Sequence, residues 1–249
     1  MEPHSQPYTT TQPRGMSHAV PWTRRDMAWA VVVGIIAVLS ISLLMLLGLR
    51  LLDRALGVAP PPWARGTVIL IAELGLLFPV WVFGTRKYGL PWSRVGFRGF
   101  NVTRAAGLGC LILLGSLGFN LAWALFLGLF QLQAQPDVLP AFGGGLQGLS
   151  QALFVGGLVA PVAEEAFFRG YLYAGLRNHF GRFAAIGLSA ALFAAAHILP
   201  TSLPPVFLLG ALFALLYEQT DSLWPAVILH GTINSMGFVA SYLLTPLPS

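Results

Sequence analysis

Residues 28–49 read AWAVVVGIIAVLSISLLMLLGL, 22 positions without one charged side chain. About 20 apolar residues are what a helix needs to cross the hydrocarbon of a bilayer. Inside lipid the backbone must satisfy its own hydrogen bonds, so a crossing segment is a helix or part of a closed barrel. Comparable runs recur at 67–84, 105–130, 183–198, 205–217 and 223–244. From Leu146 to Arg177 the chain is again apolar apart from one charged cluster. These stretches exceed the ten-residue alternating segments of barrel strands, and they are rich in Leu, Ala, Gly and Val. Only 9% of the residues are charged, against about 25% in a soluble domain. The expected fold is therefore all-α: a polytopic transmembrane helical bundle with a membrane-embedded polar site. Seven spans are expected, or eight if Pro161 divides the long segment, and the span at 205–217 is expected to be short.

The net charge of +5 is better explained by topology than by nucleic acid, because basic residues are retained in short cytoplasmic loops. With the N-terminus inside, ten basic residues fall in inner segments (Arg14, Arg24, Arg25, Arg86, Lys87, Arg94, Arg98, Arg104, Arg177, Arg182) and three in outer ones (Arg50, Arg54, Arg65). That bias predicts a cytoplasmic N-terminus. Residues 1–25 read as a polar tail, and 26–144 as N-terminal membrane helices with a basic interfacial loop at 85–104 lying along the headgroups. The triple proline at 60–62 marks a turn. Residues 145–249 form a second membrane unit, which carries most of the buried polar groups. Cys110 is the one cysteine, which leaves no disulfide framework.

Four clusters interrupt the apolar spans: AEEAFFRG at 163–170, FAAAH at 193–197, YEQTD at 217–221 and HGTIN at 230–234. Glu73 is a further intramembrane acid that needs a partner or a polar cavity. An ion at mid-bilayer costs at least roughly 2.5–3.5 kcal/mol, so each of these groups requires a reason. Glu165 and Arg169 are four apart and pair on one helix face. Glu164 points about 100° away from that pair and faces a cavity. Pro161, just before them, suits a first helical turn or a kink, where unpaired backbone donors would favour carboxylates. Phe193 with His197, and His230 with Asn234, are likewise co-facial. Asn234 either orients the imidazole or joins it in pointing donors at one substrate atom. Helix rise places Glu164 and His197 at similar depths, ~20 and ~22 Å from the inner face. A run from Gly145 to Arg177 would reach ~48 Å, so a break near Pro161 or a strong tilt is expected.

A desolvated carboxylate and a histidine can share a water and take its proton. A second histidine with an amide can donate to the oxyanion that develops on a scissile carbonyl. Glu164, His197, His230 and Asn234 are thus the candidate catalytic residues, with Glu165, Arg169 and Phe193 as structural support. A divalent metal such as zinc, held by Glu164, His197 and His230, is the rival arrangement. The absence of HExxH or of any His pair at i,i+4 favours metal-free water activation. A transporter would need inverted repeats, and none is evident.

In these residues the chain resembles the CPBP family of intramembrane proteases, also called the CAAX protease and bacteriocin-processing or Abi family. Its first motif, Glu-Glu then Arg after three residues, is matched by Glu164, Glu165 and Arg169, with Phe168, Gly170 and Leu172 in the usual flanking pattern. Phe193 and His197 match the second motif, and His230 and Asn234 the third. The likeness spans about 145–240. It implies a hydrolase of the CAAX prenyl protease 2 type, often labelled a metalloprotease, acting on a membrane-associated protein or peptide. Glu164 and His197 would activate water, and His230 and Asn234 would form the oxyanion hole. The expected setting is the inner or plasma membrane of a prokaryotic cell, with membrane lipid and a peptide substrate as partners and no nucleic acid. The alternative is a non-proteolytic scaffold or bacteriocin self-immunity factor with the same fold.

Overall fold

The structure, a computed structural model, describes residues 19–57, 60–61, 63–133 and 137–244. Most of the polar tail, part of the triple-proline turn and the last five residues lie outside that set. Among the described residues there are helices and no strands. Seven helices carry the fold: α1 (Arg24–Leu56), α2 (Trp63–Arg86), α3 (Val102–Gly128), α4 (Gly145–Phe180), α5 (Arg182–Ala196), α6 (Leu203–Thr220) and α7 (Trp224–Leu244). All but α5 are long and apolar enough to cross a membrane. Leucines along α1 and α3, such as Leu39, Leu44, Leu111 and Leu125, are exposed, as lipid-facing side chains are. The chain is an integral membrane protein.

The charged residues at both ends of α1 obey helix electrostatics. Thr23 caps its first turn and Asp26 completes a capping box, while Arg54 lies in the last turn. Asp26 also accepts hydrogen bonds from Lys87 Nζ at 2.5 Å and Tyr88 Oη at 2.6 Å, which ties the start of α1 to the end of α2. The bond to Asp26 holds the Lys87 ammonium above its ordinary range.

Helix α4 is central. It packs against α1 and α2 on one side and α5, α6 and α7 on the other, while α3 lies outside against α6 and α7. Of the two expected ways to absorb the excess length, a break near Pro161 or a strong tilt, the break is not found: α4 is one continuous segment of 36 residues. Pro161 does not start a helix. It follows a wide π-type turn at Val155–Val159, where the hydrogen-bond ladder is already dislocated and its missing N–H removes little. A second π stretch, Ala166–Tyr173, carries the arginine of the charged cluster. Glu164 and Glu165 therefore sit mid-helix, without the help of a helix N-terminus.

The short helix is α5, with 15 residues, and not the segment at 205–217. Pro204 and Pro205 fit the first turn of α6, and Glu218 near its end pairs with Arg177 at 2.7 Å and accepts a hydrogen bond from Tyr173 Oη at 2.6 Å. The helix accordingly runs through both features that had seemed to bound it.

The basic stretch after α2 is docked onto the helices beside it. Val95 is fully buried, Tyr217 Oη donates to Val95 O at 3.1 Å, and Leu223 N donates to Gly96 O at 2.9 Å. Arg98 binds the Asp221 carboxylate at 2.7 Å. The strap docks onto the α6–α7 turn and onto α4 at Gly170, where an added Cβ would stand 2.5 Å from Val95 O.

Candidate active site

The site grows from a backbone-to-backbone crossing of α4 and α7. A Cβ on Gly231 would stand 2.3 Å from Gly157 O, and one on Gly156 would stand 2.6 Å from the Phe238 ring. Small residues permit this approach inside a membrane, where packing rather than hydrophobic exclusion joins helices. The contact falls at the π turn of α4. It carries His230, the neighbour of Gly231, onto the charged cluster about two turns further along α4.

Glu165 and Arg169 make the expected pair, Nη1 to Oε1 at 2.9 Å, and both side chains are fully buried. Sequence reasoning missed that Glu165 Oε1 is shared: His230 Nδ1 lies 3.0 Å from it. A paired carboxylate only accepts, so Nδ1 carries the hydrogen and His230 Nε2 faces the other way. There it lies 3.8 Å from Glu164 Oε2, an atom with no hydrogen-bond partner. Glu164 is thus free of the Arg169 pair. Its side chain is 16% exposed, against 7% for His230.

Aromatic rings enclose the cation. The Arg169 guanidinium carbon lies 4.1 Å from the centre of the Phe193 ring and 5.2 Å from that of Phe213. His230 stacks on Phe213 at 5.1 Å and meets Phe193 edge-on at 5.8 Å. Arg169 Nη2 also donates to Gly210 O at 3.3 Å, and Ser189 Oγ donates to Phe168 O at 2.9 Å within the π stretch. Ring faces, a backbone carbonyl and a carboxylate together replace the water that a guanidinium loses on burial.

His197 and Asn234 are placed differently. His197 is exposed at the C-terminal end of α5, its Nδ1 bonded to Phe193 O at 2.9 Å. The Phe193 ring touches both imidazoles, with His197 at 4.8 Å. Asn234 does not orient His230: its Nδ2 donates to Gly156 O at 2.9 Å, at the π turn. Among the described residues no three His, Cys, Asp or Glu side chains gather closely enough to hold a metal ion. Glu164, His197 and His230 as placed therefore do not form the ligand set that the rival arrangement requires. The phenyl ring against both imidazoles and the bond from His230 to Glu165 account for that.

Two of the acids noted in the sequence resolve into different roles. Glu218 is a structural anion, held by Tyr173 and Arg177 between α4 and α6. Glu73, on α2, has one buried oxygen, Oε2, with no hydrogen-bond partner.

Residues 147–236, from α4 through α7, match the family model described as type II CAAX prenyl endopeptidase Rce1-like. No curated protein and no solved structure gives a significant match. The matched segment holds all three motifs and the crossing that joins them, and in this part the chain is similar to the CPBP/CAAX protease family.

Proposed function

We propose that this chain is an intramembrane endopeptidase that hydrolyses a peptide bond of a membrane-associated protein or peptide with water activated by Glu164. One observation carries the reading: Glu164 Oε2, buried and unpartnered, faces His230 Nε2 across 3.8 Å. A gap of that size between two polar atoms suits a water bonded to both. Glu164 takes the proton of that water as general base. His230, anchored by Glu165 through Nδ1, is held in one tautomer, and its Nε2 accepts the other hydrogen of that water. His197 Nδ1 donates to a carbonyl, which leaves Nε2 as the acceptor at the rim, suited to proton transfer. The remaining N–H of Asn234 is the candidate donor to the oxyanion. No step is routed through a metal. The excess of basic residues in alternate loops supports a cytoplasmic N-terminus, in keeping with a prokaryotic plasma membrane.

The test uses purified protein in nanodiscs and a panel of farnesylated and unlipidated fluorogenic peptides. The wild type cleaves at least one peptide, and Glu164→Gln lowers kcat by about 10²–10⁴-fold with the melting temperature retained. Cleavage by Glu164→Gln at the wild-type rate would refute Glu164 as the base, and a wild type that cuts no peptide would leave the scaffold reading in its place. Dialysis of the wild type against a chelator is expected to leave kcat unchanged, measured against the same protein resupplied with zinc.

A further inference from the structure

The start of α1 and the end of α2 stand side by side, joined by the bonds from Lys87 and Tyr88 to Asp26. Between them lies a cavity of about 650 Å³, lined by none of the motif residues and outside the matched segment. Its walls differ in chemistry. Arg25, Arg86 and Lys87 supply cations, while Trp29, Val82 and Phe83 supply apolar surface. Asp26, which also lines it, is taken up by Lys87 at 2.5 Å and Tyr88 Oη at 2.6 Å. Among the described residues neither Arg25 nor Arg86 forms an ion pair with an acid. Two positive charges in the cavity are left unmatched.

The two helices present those charges to a ligand. The π turn at Trp81–Arg86 lays the Arg86 guanidinium over the Trp81 ring, 4.9 Å from its centre. A ring face holds a guanidinium without using its N–H groups, so those donors remain for an anion. Arg25 precedes Trp29 by four residues and shares its face of α1. Trp29 and Trp81 are about half-exposed, as rings at the level of lipid headgroups are. Trp29 and Val82 each lie one turn deeper along their helices than the arginines. Cations outside and apolar surface beneath them repeat the order of a phospholipid, phosphate first and acyl chain below.

We propose that this cavity binds an anionic phospholipid: Arg25 and Arg86 clamp the headgroup phosphate, and Trp29, Val82 and Phe83 pack on the chain beneath it. Guanidinium forks match phosphate oxygens in pairs, and basic pockets between transmembrane helices suit anionic headgroups. Inorganic phosphate would satisfy the arginines but leave the apolar wall without a partner. A zwitterionic headgroup would bring its own cation to a site that already has two unmatched ones. The bound lipid bridges α1 and α2 beside the Asp26–Lys87 pair, so its occupancy stabilises the fold. None of this depends on the peptidase reading.

Native mass spectrometry of the full chain in detergent tests it, with phosphatidylglycerol as the probe. The wild type is expected to retain one phosphatidylglycerol in preference to phosphatidylcholine. The double variant Arg25→Gln/Arg86→Gln is expected to bind it about 30-fold more weakly. Arg24→Gln/Arg94→Gln removes the same charge outside the cavity and is expected to leave the Kd within about two-fold. Equal weakening in both double variants would make the attraction diffuse and overturn the proposal, as would equal binding of the two lipids by the wild type. Inorganic phosphate at constant ionic strength is expected not to displace the lipid; displacement would make a free anion the occupant and overturn the lipid assignment. Phosphatidylglycerol is further expected to raise the melting temperature of the wild type and not of the cavity variant. If that variant melts below the wild type in phosphatidylcholine, the single variants Arg25→Gln and Arg86→Gln decide, and unaltered binding by both would overturn the proposal.

Discussion

Arg169 is buried completely, charge and all. A fully buried guanidinium is tolerated because Glu165, the Gly210 carbonyl and three phenylalanine rings surround it. Removing one partner of such a pair leaves the other as an uncompensated charge, at about 3–5 kcal/mol. Arg169→Ala is expected to lower the melting temperature sharply, whereas Arg169→Met combined with Glu165→Gln recovers much of the loss; thermal unfolding in detergent reads both. The pairing of Glu165 with Arg169 was legible because a spacing of four fixes neighbours on a helix. The bond from His230 to Glu165 was not, since it joins residues 65 positions apart. Nothing in the local pattern says which acid an imidazole from another helix will meet.

Helices assemble the site through their weakest hydrogen-bond ladders. The π turn at Val155–Val159 is where α7 touches the α4 backbone, and where Asn234 returns a hydrogen bond to Gly156. Gly231→Ala puts a methyl group 2.3 Å from Gly157 O, so α7 must move away. We expect a destabilisation of about 1–3 kcal/mol and a larger loss of kcat than that destabilisation explains, because His230 moves with its neighbour. Comparing kcat with the melting temperature of this variant checks the point. Hydropathy revealed each of the seven helices, since their apolar runs answer directly to lipid. It misjudged α6, because prolines in a first turn and a paired Glu218 look like helix ends until their partners are known. It left a break at Pro161 and a strong tilt as alternatives, because π turns arise from packing between helices and leave no signature in composition.

The whole molecule is less divisible than its composition suggests. Residues 19–23 close against the far end of α4. Trp22 is 1% exposed, stacks on Tyr171 at 4.9 Å and donates Nε1 to Tyr171 O at 3.0 Å. Asn178 Nδ2 donates to Val20 O at 2.8 Å in the same place. Trp22→Ala is therefore expected to cost about 3–5 kcal/mol, measured as loss of thermal stability, although residue 22 lies far outside the matched segment. Tail and strap both clasp the end of α4 that bears Tyr171 and Gly170, and neither clasp could be read from a polar or basic sequence alone. At the other end of the site, α5 stops at Ala196 after 15 residues, a rise of only ~22 Å where the hydrocarbon is ~30 Å thick. We expect the bilayer to thin beside so brief a helix, at its His197 end, and such thinning would bring bulk solvent nearer to carboxylates that the bilayer would otherwise keep dry.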